Sequence, residues 1–217
     1  MEKGFLVVNE ISETISGEVG YIRQGCPITL VRLQGCNMSC PWCDATSSIT
    51  DEGGMRLDVK TLARFLTSSY VPVLITGGEP ILQKDGIIAL IKYMEDHDIK
   101  RPIQIETNGT CILPTELFGK VSFVVDYKMA YPELMDREQL SFLSEKDWVK
   151  IVINRLDQID LLPQTMDLIA GGFGECRPKL AVTTTNKDLY LEITKMILDK
   201  QLPIVVNVQL HKFLRVQ

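Results

Sequence analysis

The chain has 217 residues, 45% of them hydrophobic and 24% charged, and a formal net charge of −5. That length and balance suit one globular domain with a sizeable core, spanning residues 1–217. The acidic balance, with no basic tail or arm, argues against wide contact with nucleic acid. The lack of a signal peptide or of an apolar run of spanning length argues against a membrane.

The expected location is the cytoplasm, because six cysteines, three of them clustered, suit a compartment that keeps thiols reduced. In chain order, Phe5–Val8 reads as a short edge strand and the polar, glycine-rich Ser16–Gly25 as a loop. Ile28–Leu33 is the first core strand. It leads into Cys36-Asn37-Met38-Ser39-Cys40-Pro41-Trp42-Cys43, where the cysteines are spaced C-x3-C-x2-C. Three thiolates can hold three irons of a 4Fe–4S cube and leave the fourth open to a ligand. A structural zinc site would want a fourth Cys or His at the right distance, and the histidines are His97 and His211. Trp42 either shields such a cluster from water or packs the core.

Asp58 caps a helix running to about Ser69, with Val59, Leu62, Ala63 and Leu66 on one face. Val73–Thr76 is the second strand, ending at Gly77-Gly78-Glu79-Pro80. The two glycines permit close backbone approach. Their carbonyls, and the Glu79 carboxylate, can accept bonds from an ammonium group. A helix follows over Ile87–Asp96, then a third strand over Ile103–Glu106, which ends at Thr107-Asn108-Gly109. Glu106 either lines the mouth of the fold or pairs with a core cation. The fourth strand, Ser122–Asp126, ends at Tyr127-Lys128, so Asp126 and Lys128 are either site groups or a plain ion pair. Trp148–Ile153 is the fifth strand. The helix after it covers about Gln158–Ala170, with Pro163 marking a kink or a later start. Leu180–Thr183, a helix over Asn186–Gln201, a last strand over Ile204–Val208 and a tail over Gln209–Gln217 complete the chain.

Strand, crossover helix, strand, repeated, predicts an α/β fold with a parallel sheet and right-handed connections. The chain is short for a full eight-unit barrel, so a partial (βα)6 TIM-like barrel of about six units is expected. Function then sits at the carboxyl ends of the strands, where each polar motif falls.

Cys36-x3-Cys40-x2-Cys43 followed by Gly77-Gly78-Glu79-Pro80 resembles the radical S-adenosylmethionine (SAM) superfamily. Further stretches are similar to its 7-carboxy-7-deazaguanine synthase family: Gly17-Glu18, Val31 to Asn37, Trp42-Cys43-Asp44, Thr76 to Pro80 with Gln83, Glu106 to Gly109, Asp126 to Lys128, Val149 to Ile153, and Gln209-Leu210-His211-Lys212. The resemblance implies a 4Fe–4S cluster on Cys36, Cys40 and Cys43, with SAM on its open iron. SAM would lie against Gly77, Gly78, Glu79, Glu106, Asn108, Asp126 and Lys128. It also implies a ring-contracting carbon–nitrogen lyase of queuosine and deazapurine biosynthesis. There a 5′-deoxyadenosyl radical takes hydrogen from C6 of 6-carboxytetrahydropterin, and ammonia and 7-carboxy-7-deazaguanine leave. Glu18 would bond the pterin, Arg32 would grip its carboxylate or ring, and Gly78, His211 and Gln217 would complete the substrate site. An electron donor such as flavodoxin or ferredoxin, and a homodimer, are implied in the same way.

This chain departs from the family in places. The family often has Thr or Ser two residues after the third cysteine, at a magnesium ion; here Ala45 stands there, with Thr46 and Ser47 as substitute hydroxyls. The stretch from Glu18 to Arg32 is about two residues longer than usual, and the segment after Lys128 reads Met129-Ala130-Tyr131-Pro132. A diverged paralogue with a modified substrate, or a glycyl-radical activase of the same superfamily, are the alternatives. A peptide-modifying enzyme would carry extra cysteine-rich domains, and an electron carrier would hold all four irons with cysteine. Cys26, Cys111 and Cys176 match no ligand position.

Overall fold

The computed structural model describes residues 4–216. Strands β1 (Phe5–Ile15) and β2 (Pro27–Leu33) pair antiparallel, and β3 (Met55–Asp58) adds antiparallel to the other side of β1. From β2 onward the neighbours are parallel: β4 (Val73–Gly77), β5 (Ile103–Thr107), β6 (Ser122–Lys128), β7 (Trp148–Ile153), β8 (Lys179–Thr184) and β9 (Val205–Val206). Among the described residues this is one sheet in the order β3-β1-β2-β4-β5-β6-β7-β8-β9. It does not pair back on itself, as a partial barrel requires.

Four of the parallel crossovers carry an α-helix: α1 (Val59–Thr67), α2 (Lys84–Asp96), α3 (Leu162–Ala170) and α4 (Tyr190–Lys200). The connections after β5 and β6 cross with short 3-10 turns instead. Asp58 caps α1 as its sequence predicts, accepting the Thr61 N–H at 3.0 Å. Leu62, Ala63 and Leu66 of α1, and Ile87, Leu90, Ile91 and Met94 of α2, are buried on one face each. Pro163 lies in the first turn of α3, so that helix starts later than residue 158; a proline is tolerated where its missing N–H would be unpaired anyway.

Three features differ from expectation. β1 continues to Ile15, because its polar second half pairs with β2 through a bulge between Val8 and Glu10. β3 is a four-residue edge strand with no alternating pattern to announce it. The tail contains a short helix, α5 (Leu210–Leu214). No helix among the described residues is long and apolar enough to cross a membrane.

The strand period of two sorts side chains to the two faces of the sheet. Val31, Ile75, Ile105, Phe123, Val125, Val149 and Ile151 belong to the main core, which the helices cover. The alternate residues Ile28, Leu30, Arg32, Leu74, Thr76, Glu106, Asp126, Lys128, Lys150, Val152 and Thr183 line a single cavity on the inner face. Its base is apolar, with Ile22 from the loop between β1 and β2 packed on Ile28, Leu30 and Leu74. The Ile22 N–H donates to Gln104 Oε1 at 2.9 Å, which anchors that loop on β5.

Candidate active site

The cavity has a volume of about 400 Å³ and opens at the carboxyl ends of the parallel strands. Cys36, Cys40 and Cys43 all contribute to its wall. Their loop is shaped by local bonds: the Cys43 N–H donates to the Cys40 carbonyl at 3.0 Å, and the Met38 N–H to Cys36 Sγ at 3.4 Å. Asn37 fastens the loop to the end of β5, donating to Thr110 Oγ1 at 2.7 Å and accepting from Asn108 Nδ2 at 3.0 Å. Burial pushes the Cys36 and Cys40 thiols up, and each of them also feels Cys43. Among the described residues no three His, Cys, Asp or Glu side chains converge closely enough for one ion. The thiols thus share a cavity without meeting at a point. Three cysteines on one wall, with backbone and amide N–H groups aimed at sulfur, fit a multi-iron cluster. Trp42 lies on the same wall and stacks on Tyr131 at 5.8 Å between centroids. Cys111, remote from the other cysteines in sequence, sits beside this loop, 3.7 Å from Asn37 Nδ2.

Gly77 and Gly78 also line the cavity. Gly77 has φ +149°, and a Cβ there would fall on the Leu33 backbone. A Cβ on Gly78 would fall on the Gly35 carbonyl. The Gly78 N–H donates to the Leu33 carbonyl at 3.1 Å and the Glu79 N–H to the Gly35 carbonyl at 2.8 Å. Glycine here lets the end of β4 lie flush against the start of the cysteine loop.

Glu79 corrects the sequence expectation. Its side chain is fully buried and does not line the cavity. The carboxylate accepts the Ile81 N–H at 2.9 Å, the Thr107 hydroxyl at 2.8 Å and the Asn108 N–H at 2.7 Å. Buried behind the cavity wall, it is out of reach of an ammonium bound in the cavity. It ties the ends of β4 and β5 together, and burial pushes its carboxyl up against those bonds.

The other predicted groups do meet in the cavity: Glu18, Arg32, Glu106, Asn108, Asp126, Lys128 and His211. Strand register places Asp126 directly beside Lys150 of β7. Lys128 Nζ bonds Asp126 Oδ2 at 2.8 Å, and Lys150 Nζ lies 3.1 Å from Asp126 Oδ1 and in contact with Glu18 Oε2. Gln209 Nε2 donates to Glu18 Oε1 at 2.6 Å. Burial pushes the Asp126 carboxyl up, opposed by Lys128. Burial also draws the Lys150 ammonium down to about 7, the Lys212 charge adding to that pull, while the Asp126 and Glu18 carboxylates lie against its Nζ. Glu106 is pushed up to about 7 by burial and by the Asp126 charge, with Arg32 acting the other way. Arg32 itself pairs with Glu10 of β1 through Nε at 3.4 Å.

The C-terminal segment closes one side. The Leu210 N–H donates to the Gly17 carbonyl at 2.8 Å, and the Val19 N–H donates to Asn207 Oδ1 at 2.9 Å. A Cβ on Gly17 would fall on the His211 ring, so glycine is what seats the histidine. Asp44, one residue past Cys43, pairs with Lys212 at 2.8 Å and lies 3.8 Å from His211 Nε2. His211 and Lys212 hold its carboxyl well below the usual range. Ala45 and Ser47 line the cavity, with Ser47 Oγ bonded to Asn9 Oδ1 at 3.3 Å. Thr46 is exposed outside the cavity wall, so of the two substitute hydroxyls only Ser47 faces it. Gln217 lies outside the described residues.

Lys150, Gln209 and Glu10 are among the cavity groups to which sequence reasoning assigns no role. Lys150 leaves a trace there as the one charge inside the apolar run Trp148–Ile153, and Gln209 as the first residue of the Gln209-Leu210-His211-Lys212 stretch.

Residues 30–206 match the Radical SAM superfamily. A 7-carboxy-7-deazaguanine synthase of Methanospirillum hungatei is 31% identical over 211 residues, covering 95% of this chain and 84% of that protein. One of Thermoplasma acidophilum is 31% identical over 174 residues, covering 77% of this chain and 79% of that protein. The crystal structure of QueE from Escherichia coli superposes with a TM-score of 0.71 at 21% identity, covering 95% of each chain, a likeness of fold.

Proposed function

The chain belongs to the radical SAM superfamily and, within it, to the 7-carboxy-7-deazaguanine synthase family, and from that membership we propose that it converts 6-carboxytetrahydropterin to 7-carboxy-7-deazaguanine with release of ammonia. The observation that carries this reading is that Glu18 and Arg32, from a loop and a strand, reach the same cavity as the three cysteines.

Cys36, Cys40 and Cys43 would hold the cluster, and Gly77, Gly78, Glu106, Asn108, Asp126 and Lys128 would bind SAM, with Glu79 shaping that wall from behind. When bound, cluster and SAM supply the 5′-deoxyadenosyl radical that takes the C6 hydrogen. The chain's own residues orient the substrate. Glu18 accepts from the N–H edge of the pterin, Arg32 takes its carboxylate, Gly78 offers backbone close by, and His211 closes the open side. Ser47 is the hydroxyl available to a magnesium ion. The conversion is redox-neutral, since loss of ammonia accounts for the change in composition. Bound SAM would therefore be recovered at each turnover, and a flavodoxin or ferredoxin in the cytoplasm would only prime the cluster. A homodimer of one-domain chains completes the proposal. The closure of one side by residues 207–212 favours a small molecule over a protein backbone as substrate.

The test is anaerobic reconstitution with iron and sulfide, then reductant, SAM and 6-carboxytetrahydropterin, with products followed by mass spectrometry. The deazaguanine is expected, and Cys40→Ala abolishes it together with the cubane absorbance. Formation of 5′-deoxyadenosine without any deazaguanine would sink the pterin assignment and leave the superfamily chemistry standing.

A further inference from the structure

Lys150 is a lysine in the middle of a parallel strand, 5% exposed. Its neighbours Val149 and Ile151 are fully buried in the main core, so Lys150 is the residue of that stretch turned to the cavity. There it stands between two carboxylates from different parts of the chain, Asp126 beside it on β6 and Glu18 from the loop before β2. With Lys128 on the far side of Asp126, the four groups alternate in sign. Glu18 is 6% exposed, and both its oxygens are engaged, Oε2 by Lys150 and Oε1 by Gln209. Each carboxylate oxygen still has room for a second donor.

A buried carboxylate without a cation takes up a proton. A protonated carboxyl facing two donors would meet one of them with its own O–H. We propose that Lys150 is the positioning residue of the substrate site: its ammonium aims the Glu18 carboxylate into the cavity as a fixed, ionised acceptor for a ligand edge carrying two N–H donors. This rests on the reading of Glu18 as a substrate group. An amino-pyrimidinone ring has such an edge, and a ligand presenting acceptors there is rejected.

The test is a double-mutant cycle on the reconstituted holoenzyme, reading the Kd of 6-carboxytetrahydropterin. Lys150→Met keeps the length and removes the charge, and it weakens binding by about a hundredfold. Lys150→Arg restores affinity to within about tenfold of wild type, because the charge returns. Glu18→Gln weakens binding as well, and the double variant is no weaker than the weaker single one, since the two residues act as a unit. A lysine that merely supports the fold gives neither the rescue nor the non-additivity. Should Lys150→Met fail to fold, Lys150→Gln carries the same expectation. Binding by the neutral variant within about threefold of wild type, or losses that multiply in the double variant, overturns the proposal. Wild-type enzyme that makes deazaguanine while the cycle is additive overturns the positioning role alone. Wild-type enzyme that neither binds nor converts the pterin overturns the substrate reading, and this proposal with it.

Discussion

Glu106 shows how a single cavity residue can couple stability to pH. Its carboxyl is held near 7 in the fold, against an ordinary 4.5. Between these values the folded state keeps a proton that the unfolded chain releases. Stability from this group is therefore complete below about pH 4.5 and is lost as pH rises through about 7. Glu106→Gln removes that dependence. In the cofactor-free protein the variant should gain on wild type by about 2 kcal/mol across the window, a figure reduced from full conversion because Glu106 is partly exposed on the cavity wall. Urea denaturation of both proteins through the window checks this, and a difference that does not vary with pH would refute it. Arg32 and Asp126 act on Glu106 in opposite senses, so the cavity's charges cannot be changed one at a time without moving the others.

At the scale of elements, the decisive contact is that of the β4 end with the cysteine loop. Two backbone bonds and two glycines hold them together, leaving no space for a side chain. Gly78→Ala forces the Gly35 carbonyl away and shifts the cysteines relative to the SAM wall. Displacement of about 1 Å at a reacting centre costs on the order of a hundredfold in rate. A loss of that size in 5′-deoxyadenosine formation, with a lower iron content per chain, is expected. Most of this layout is legible in the sequence. The parallel strands are apolar runs, and each ends in its polar motif. The cysteine spacing and the Gly-Gly pair name the chemistry. What is not legible depends on register and on partners far along the chain. Glu79 reads as a free acid until the ends of β4 and β5 come together and supply its three donors. Lys150 reads as an oddity in a strand until register sets Asp126 beside it. β3 and α5 are too short to carry a pattern of their own.

Taken whole, the described residues form a mostly parallel sheet that does not close on itself, whose open side is covered by two segments without strand structure. These are the loop before β2 and the residues from Asn207 onward. A chain ending at Val208 should keep its cluster, because no cluster cysteine depends on the missing residues for a backbone bond described above. It loses the Gln209 bond to Glu18, the His211 ring over Gly17 and the Lys212 pair with Asp44. Pterin affinity should fall by about a hundredfold or more, equivalent to roughly 3 kcal/mol, with iron content close to wild type. Equilibrium binding and iron analysis of the truncated chain decide this; full affinity would mean the segment is not part of the site.

The same two segments are separated by nearly the whole chain: Val19 and Asn207 are 188 residues apart, Glu18 and Gln209 are 191 apart. A ribosome therefore delivers Ser16–Gly25 long before Asn207 and Gln209, two of the residues that fasten it. Strands β2 to β8 can pair with a neighbour already made as each one emerges, a sequential assembly of mostly modest separations. The loop carrying Glu18 is anchored on β5 through Ile22, but its bonds at Glu18 and Val19 to Gln209 and Asn207 wait until those residues are made. The substrate side of the cavity is thus completed only after strands β2 to β8 are in place, although half of it was made before them.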